Sequence, residues 1–188
     1  MSQSIVPVKI RPHLIPFFYK EFKGIEEAFY LNKKVKACKI NIGSSLGKLF
    51  RITLQKSGYP EKIENFNMFI SVTNSQSSNP KFSAQIYKYA SGNYSFLKVP
   101  KEVAEDLNNV LEDQFRIAFV YSVKWALKYS SEIKIKDVIS DFMVEYGLDE
   151  HGYTLESLRT LYNRQIKEEA GMSRMQSKSS NRVLNYNG

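Results

Sequence analysis

The hydrophobic pattern of this chain changes period once, near Pro100. Before it, apolar side chains alternate or sit in short β-prone blocks. After it, they recur every three or four positions. KKVKACKINI (33–42) and KLFRITL (48–54) are two such blocks, the second with Phe50, Ile52 and Leu54 on one side and Leu49, Arg51 and Thr53 on the other. With GSSLG (43–47) between them, they predict an antiparallel hairpin closed by a five-residue loop. KSGYPEK (56–62) reads as a loop, FNMFISVT (66–73) as a strand and NSQSSNP (74–80) as another loop. Residues 81–100 predict two strands around Ala90-Ser91-Gly92-Asn93, because Gly and Asn tolerate the positive φ of a tight turn.

From Lys101 the spacing of Val103, Leu107, Val110, Leu111, Ile117, Ala118 and Tyr121 predicts a long helix. Pro100 suits its start, and Glu102, Glu105 and Asp106 suit the positive end of its dipole. Its stretch FRIAFVYSVKWAL (115–127) is apolar nearly all round, with only Arg116 and Lys124 charged; such a segment is buried in a core or covered by a partner. A second helix is predicted over 135–146 with Gly147 as C-cap, and a third over 154–169 with Thr154 as N-cap. Segment 6–24 is ambiguous: Pro7, Pro12 and Pro16 hold its first part extended, and Pro16 suits the opening of a short helix through Phe22.

Strands first and helices after predict an α+β fold. The expected architecture is an N-terminal antiparallel sheet of about four to five strands packed on a long central helix, then two shorter C-terminal helices and a basic tail. The matching division is an extended arm with a short helix (1–32), an α+β core (33–130), a small helical subdomain (131–170) and a basic C-terminal arm (171–188).

Charge sharpens this picture. The net +8 is unevenly spread. Residues 1–56 carry eleven Lys/Arg against three Glu, while 99–170 carry nine cations against fourteen acids. The last eighteen residues hold Arg174, Lys178 and Arg182 and no acid. The chain is therefore a charge dipole. A single cysteine, Cys38, excludes an intramolecular disulfide and suits a reducing compartment. The opening residues carry no signal-peptide core, and no apolar run is long enough for a membrane span. The expected location is intracellular and cytoplasmic, including incorporation into a virion.

Catalytic chemistry finds little support. His13 and His151 stand apart from any patterned carboxylate or thiol, and one cysteine with two scattered histidines makes no zinc site. Cys38, inside a predicted strand, reads as a buried thiol. GSSLGK (43–48) resembles a phosphate-binding loop only superficially: three residues separate its glycines where four are needed, and Leu49 replaces Ser or Thr. It is also expected to lead into a strand, which would leave no helix dipole to face a phosphate. Acidic pairs such as Glu105-Asp106, Glu112-Asp113 and Glu168-Glu169 diverge by about 100° on a helix and read as solvated surface. No catalytic residue, metal or cofactor is expected, and the protein is read as a non-enzyme.

Two binding readings remain. In the first, the chain is a structural subunit of a virus particle or other multi-subunit complex, contacting itself or other protein subunits through its terminal arms and bipolar charge. In the second it is a nucleic-acid-binding accessory protein of phage or mobile-element type. The cations that serve either reading are Lys33, Lys34, Lys36, Lys39, Lys48 and Arg51 in the strand region, and Arg159, Arg164 and Lys167 on the last helix. In the tail they are Arg174, Lys178 and Arg182, with Val183, Leu184 and Tyr186 as anchors. Against nucleic acid stands the seven-residue gap (147–153) between the last two helices, where a helix-turn-helix needs about three or four.

Overall fold

A computed structural model describes residues 3–41, 43–73, 96–130, 132–168 and 171–176. The fold is α+β and divides into two compact units, residues 1–106 and 107–188. Among the described residues, the first unit holds strands β1 (Gln3–Val8), β2 (Ile25–Tyr30), β3 (Lys33–Ile40), β4 (Gln55–Ser57), β5 (Met68–Thr73) and β6 (Phe96–Lys98). It also holds helices α1 (Leu14–Glu21) and α2 (Ser45–Thr53). Helix α3 (Lys101–Tyr129) crosses the boundary, and α4 (Ile135–Glu145) and α5 (Leu155–Lys167) complete the second unit with 3₁₀ turns at Asp149–His151 and Met172–Gln176.

Four strands form a mixed sheet in the order β1-β5-β3-β2. β1 and β5 are antiparallel, as are β2 and β3, but β3 and β5 run parallel, so the sheet is not the purely antiparallel one expected. Strand period 2 places Val6, Ile70 and Cys38 on one face, where Val8, Met68, Val72 and Ile40 are also buried. The other face carries Ala28, Tyr30, Ala37 and Phe69, with Ile5, Val35 and Ile63 against them. Pro7 is tolerated because β1 is an edge strand of this sheet. Beyond the end of β1, the Asn67 side chain accepts from the Ile10 N–H at 2.9 Å and donates to its carbonyl at 2.6 Å.

Two further expectations fail here. The run 48–54 is not a strand but most of α2, and β3 pairs with β2 instead. The buried residues of this stretch are Gly47, Phe50 and Leu54, a helical spacing, while Ile52 is 74% exposed. Ser44 starts the helix, its hydroxyl accepting from the Gly47 N–H at 3.0 Å. The second failure concerns residues 1–32, which supply two of the sheet's four strands where an extended arm was expected; the short helix expected there is α1. β2 and β3 join through Leu31 and Asn32, both at positive φ (48° and 62°), the backbone of a two-residue hairpin turn. Of the strand pair expected over 81–100, the first strand and the turn at 90–93 lie outside the described residues; β6 falls in the second strand and pairs antiparallel with β4 in a separate two-stranded sheet.

In the second unit, α3 supplies Leu107, Leu111, Phe115, Phe119 and Val123 to the core, α4 supplies Ile139 and Phe142, and α5 supplies Leu158, Leu161 and Tyr162. Phe119 meets Phe142 edge-on at 5.0 Å and Tyr162 at 6.4 Å, while Phe115 meets Phe142 at 5.8 Å. The end signals read from the sequence are present. Gly147 follows α4 at φ 56°, and Thr154 opens α5 with a reciprocal capping box to Ser157. Among the described residues, no helix is long and apolar enough to cross a membrane.

Candidate binding surfaces

The first unit disperses its lysines. Lys33, Lys34, Lys36 and Lys39 all lie on β3 and are exposed. Alternation sends Lys34 and Lys36 to one face of the strand and Lys33 and Lys39 to the other. Lys34 pairs with Glu27 at 2.7 Å, and the Lys36 ammonium lies 4.7 Å from the centre of the Tyr19 ring. The Tyr19 hydroxyl in turn donates to the Lys36 carbonyl at 2.9 Å. Lys48 is exposed on α2, and Arg51 lies in the same helix. The basic stretch of sequence thus does not become one basic face along β3.

The loop GSSLGK does lead into a helix, α2, correcting the expectation of a strand after it. Its glycine spacing still departs from a phosphate-binding loop, and one N–H of the first turn is taken by Ser44. Cys38 is fully buried in β3, and burial pushes its thiol up to about 11. It is therefore protonated, and not a nucleophile, near neutral pH. His13 is buried just before α1, and His151 is half-buried in its 3₁₀ turn.

The second unit behaves differently, starting with its acids. Glu112 and Asp113, expected on solvated surface, are 1% and 2% exposed. Their divergence on the helix lets each reach its own arginine. Glu112 accepts from Arg116 one turn on, and Asp113 pairs with Arg174 at 2.8 Å. Arg174 also donates to the Gln165 side chain at 3.4 Å. Each buried carboxylate thus has its own buried guanidinium, as burial of charge requires. Arg174, read from the sequence as a cation of the tail available to a partner, is 8% exposed and ties the turn at 172–176 to α3.

On its outer surface α3 carries a stripe of a different kind. Tyr121, Trp125 and Tyr129 recur every four residues and are 40%, 48% and 73% exposed. The Trp125 and Tyr129 rings stack at 5.1 Å with planes 4° apart. The Lys128 ammonium lies 5.1 Å from the Trp125 ring and 5.7 Å from Tyr129, and Lys124 lies 5.9 Å from Tyr121. Gly171 abuts the Tyr121 hydroxyl so closely that a Cβ there would stand 3.1 Å from it, and Met172 and Met175 of the same turn are exposed. The all-round apolar reading of 115–127 was right about Phe115, Phe119, Val120 and Val123, and it missed that its aromatics divide between core and surface.

Two further stripes complete the unit. α4 exposes Asp137, Asp141, Val144 and Glu145. α5 exposes Arg159, Asn163 and Lys167 at four-residue intervals, with Arg164 half-buried beside them. Lys178, Arg182, Val183, Leu184 and Tyr186 lie outside the described residues. No family model, no curated protein and no solved structure matches this chain.

Proposed function

We propose that this protein is a non-enzymatic assembly subunit of a multi-subunit complex, of which a virus particle is one example, working inside the cell through contacts with itself or other protein subunits. The observation that carries this reading is the exposed stripe of Tyr121, Trp125 and Tyr129 on α3, lined by Lys124 and Lys128. Tyr and Trp carry much of the binding energy at protein interfaces, and Met is enriched there, which the neighbouring Met172 and Met175 supply. The Arg174–Asp113 pair adds a second support: it ties the turn at 172–176, with its exposed Met172 and Met175, to α3. A single buried cysteine suits a reducing compartment.

The test is mass in solution by light scattering at low and high salt, for the full chain and for one ending at Gln176. Ending at Gln176 keeps Arg174, whose loss would strand Asp113 and confuse folding with association. An oligomer that weakens without 177–188 supports both surface and arm. A monomer under all conditions defeats the reading.

A second reading, nucleic-acid binding, is favoured by the Arg159, Asn163 and Lys167 stripe of α5, residue types that contact phosphates and base edges. A monomer that binds a generic DNA duplex with steep salt dependence would establish it in place of the first.

A further inference from the structure

We propose that copies of this chain associate head to tail, the lysine–aromatic stripe of α3 on one copy seating against the acidic face of α4 on the next. The inference rests on the assembly reading and names its contact. α3 offers Lys124 and Lys128, four residues apart, which is about 6 Å of helix rise. α4 offers Asp137 and Asp141 at the same spacing and the opposite sign, with Glu145 one turn further on. Each charged set surrounds exposed apolar surface: Trp125 and Tyr129 on α3, and Val144, 74% exposed, on α4.

The charges are unevenly divided, although Lys136 lies in the first turn of α4. From residue 114 to 131 the chain has no acid, and from 137 to 150 it has five acids and no Lys or Arg. All the charged members of both stripes are exposed, so neither stripe covers the other within one chain. Because the two surfaces are different patches, their contact is heterologous, and repeating it generates a ring or a filament. Aromatic side chains beside the lysines suit a protein partner. A nucleic acid would meet the same lysines and rings but would be repelled by the acids of α4 nearby in the sequence.

Charge reversal tests this directly. Two variants, Lys124→Glu with Lys128→Glu and Asp137→Lys with Asp141→Lys, are compared with the full natural chain by sedimentation velocity across concentration. Each variant alone is expected to associate at least about tenfold more weakly, because like charges would then face each other. Mixing the two is expected to restore association, since each copy then finds an oppositely charged face on the other. The altered residues are exposed, and unchanged far-UV circular dichroism verifies folding; a pair that fails it is replaced by the neutral Gln or Asn versions.

If the natural chain associates and both variants associate equally well, the contact is wrong while the assembly reading stands. Failure of the mixture to recover also overturns the contact. If the natural chain is a monomer, both fall. Loss of binding to a single-stranded oligonucleotide in the lysine variant of a monomeric chain would assign the stripe to nucleic acid instead.

Discussion

Strand β3 and the helices of the second unit handle the same raw material, clustered charge, in opposite ways. β3 carries Lys33, Lys34, Lys36 and Lys39 within seven residues, yet its period of two divides them between the faces of a sheet. The helices space their cations more widely, but a period of 3.6 gathers them: Lys124 and Lys128 line up on α3, and Arg159 and Lys167, with Asn163 between them, on α5. The same period turns Glu112, Asp113 and Arg116 inward, where Glu112 pairs with Arg116 and Asp113 with Arg174. Local density of charge in a sequence therefore says little about a charged surface until the period of the element is known.

The largest test of this contrast is Asp113→Ala. Removing one partner leaves the Arg174 guanidinium buried, and the expected loss is about 3–5 kcal/mol in urea unfolding. Replacing Asp113 and Arg174 together by apolar residues should cost much less, because no charge is then stranded. A loss below about 1 kcal/mol for the single change would mean that water reaches the cluster.

Next in size is Cys38, on the buried face of β3. Its folded pKa of about 11 lies above the ordinary value, so the folded state holds its proton more tightly than the unfolded state does. The resulting stability is full below the ordinary thiol range near pH 8.5 and is lost as pH rises through about 11, an effect on the order of 3 kcal/mol. Burial raises Tyr19, Tyr30 and Tyr162 as well, which adds to the decline at the upper end of that window. Thermal melts from pH 7 to 11 on the natural chain and on Cys38→Ala would separate the thiol's share, since the variant should show the shallower decline.

A smaller effect is expected at the β2–β3 turn. Leu31 sits at φ 48°, a conformation that costs a branched side chain about 1–2 kcal/mol. Leu31→Asn should raise stability by roughly 0.5–1 kcal/mol, read as a higher urea midpoint with unchanged slope. A destabilised variant would show that the half-exposed leucine side chain contributes contacts outweighing the strain.

The smallest effect closes the comparison with the buried cluster. Lys34 and Glu27 form an ion pair whose side chains are 59% and 74% exposed. Lys34→Ala should change stability by no more than about 1 kcal/mol, and less at high salt. A loss as large as that of Asp113→Ala would erase the distinction between the two units.

Much of the second unit was legible in advance. The spacing of Val103, Leu107, Val110, Leu111, Ile117, Ala118 and Tyr121 announced α3, and Thr154 and Gly147 marked helix ends where the structure has them. The first unit was less transparent. Phe50, Ile52 and Leu54 fit a strand as well as a helix over so short a run, and burial of Gly47, Phe50 and Leu54 decided for the helix. β2 was missed because Leu31-Asn32 is not the Asn-Gly or Asp-Gly that announces a tight hairpin. Of the candidate binding residues, the four lysines of β3 are exposed, but their division between faces follows from strand pairing. Trp125 and Tyr129 gave no separate signal, because an apolar run hides which of its members face outward.

By itself, then, the sequence determined the α+β class, the long helix and its two successors, their caps, and the uneven distribution of charge. These are local properties, set by periodicity and by the chemistry of helix ends. Tertiary structure decided that α2 is a helix, that β3 and β5 run parallel, and that Asp113 is buried against Arg174. It also decided which aromatics of α3 remain exposed. Each of those outcomes depends on a partner distant in sequence, and burial energy is settled only when that partner is in place.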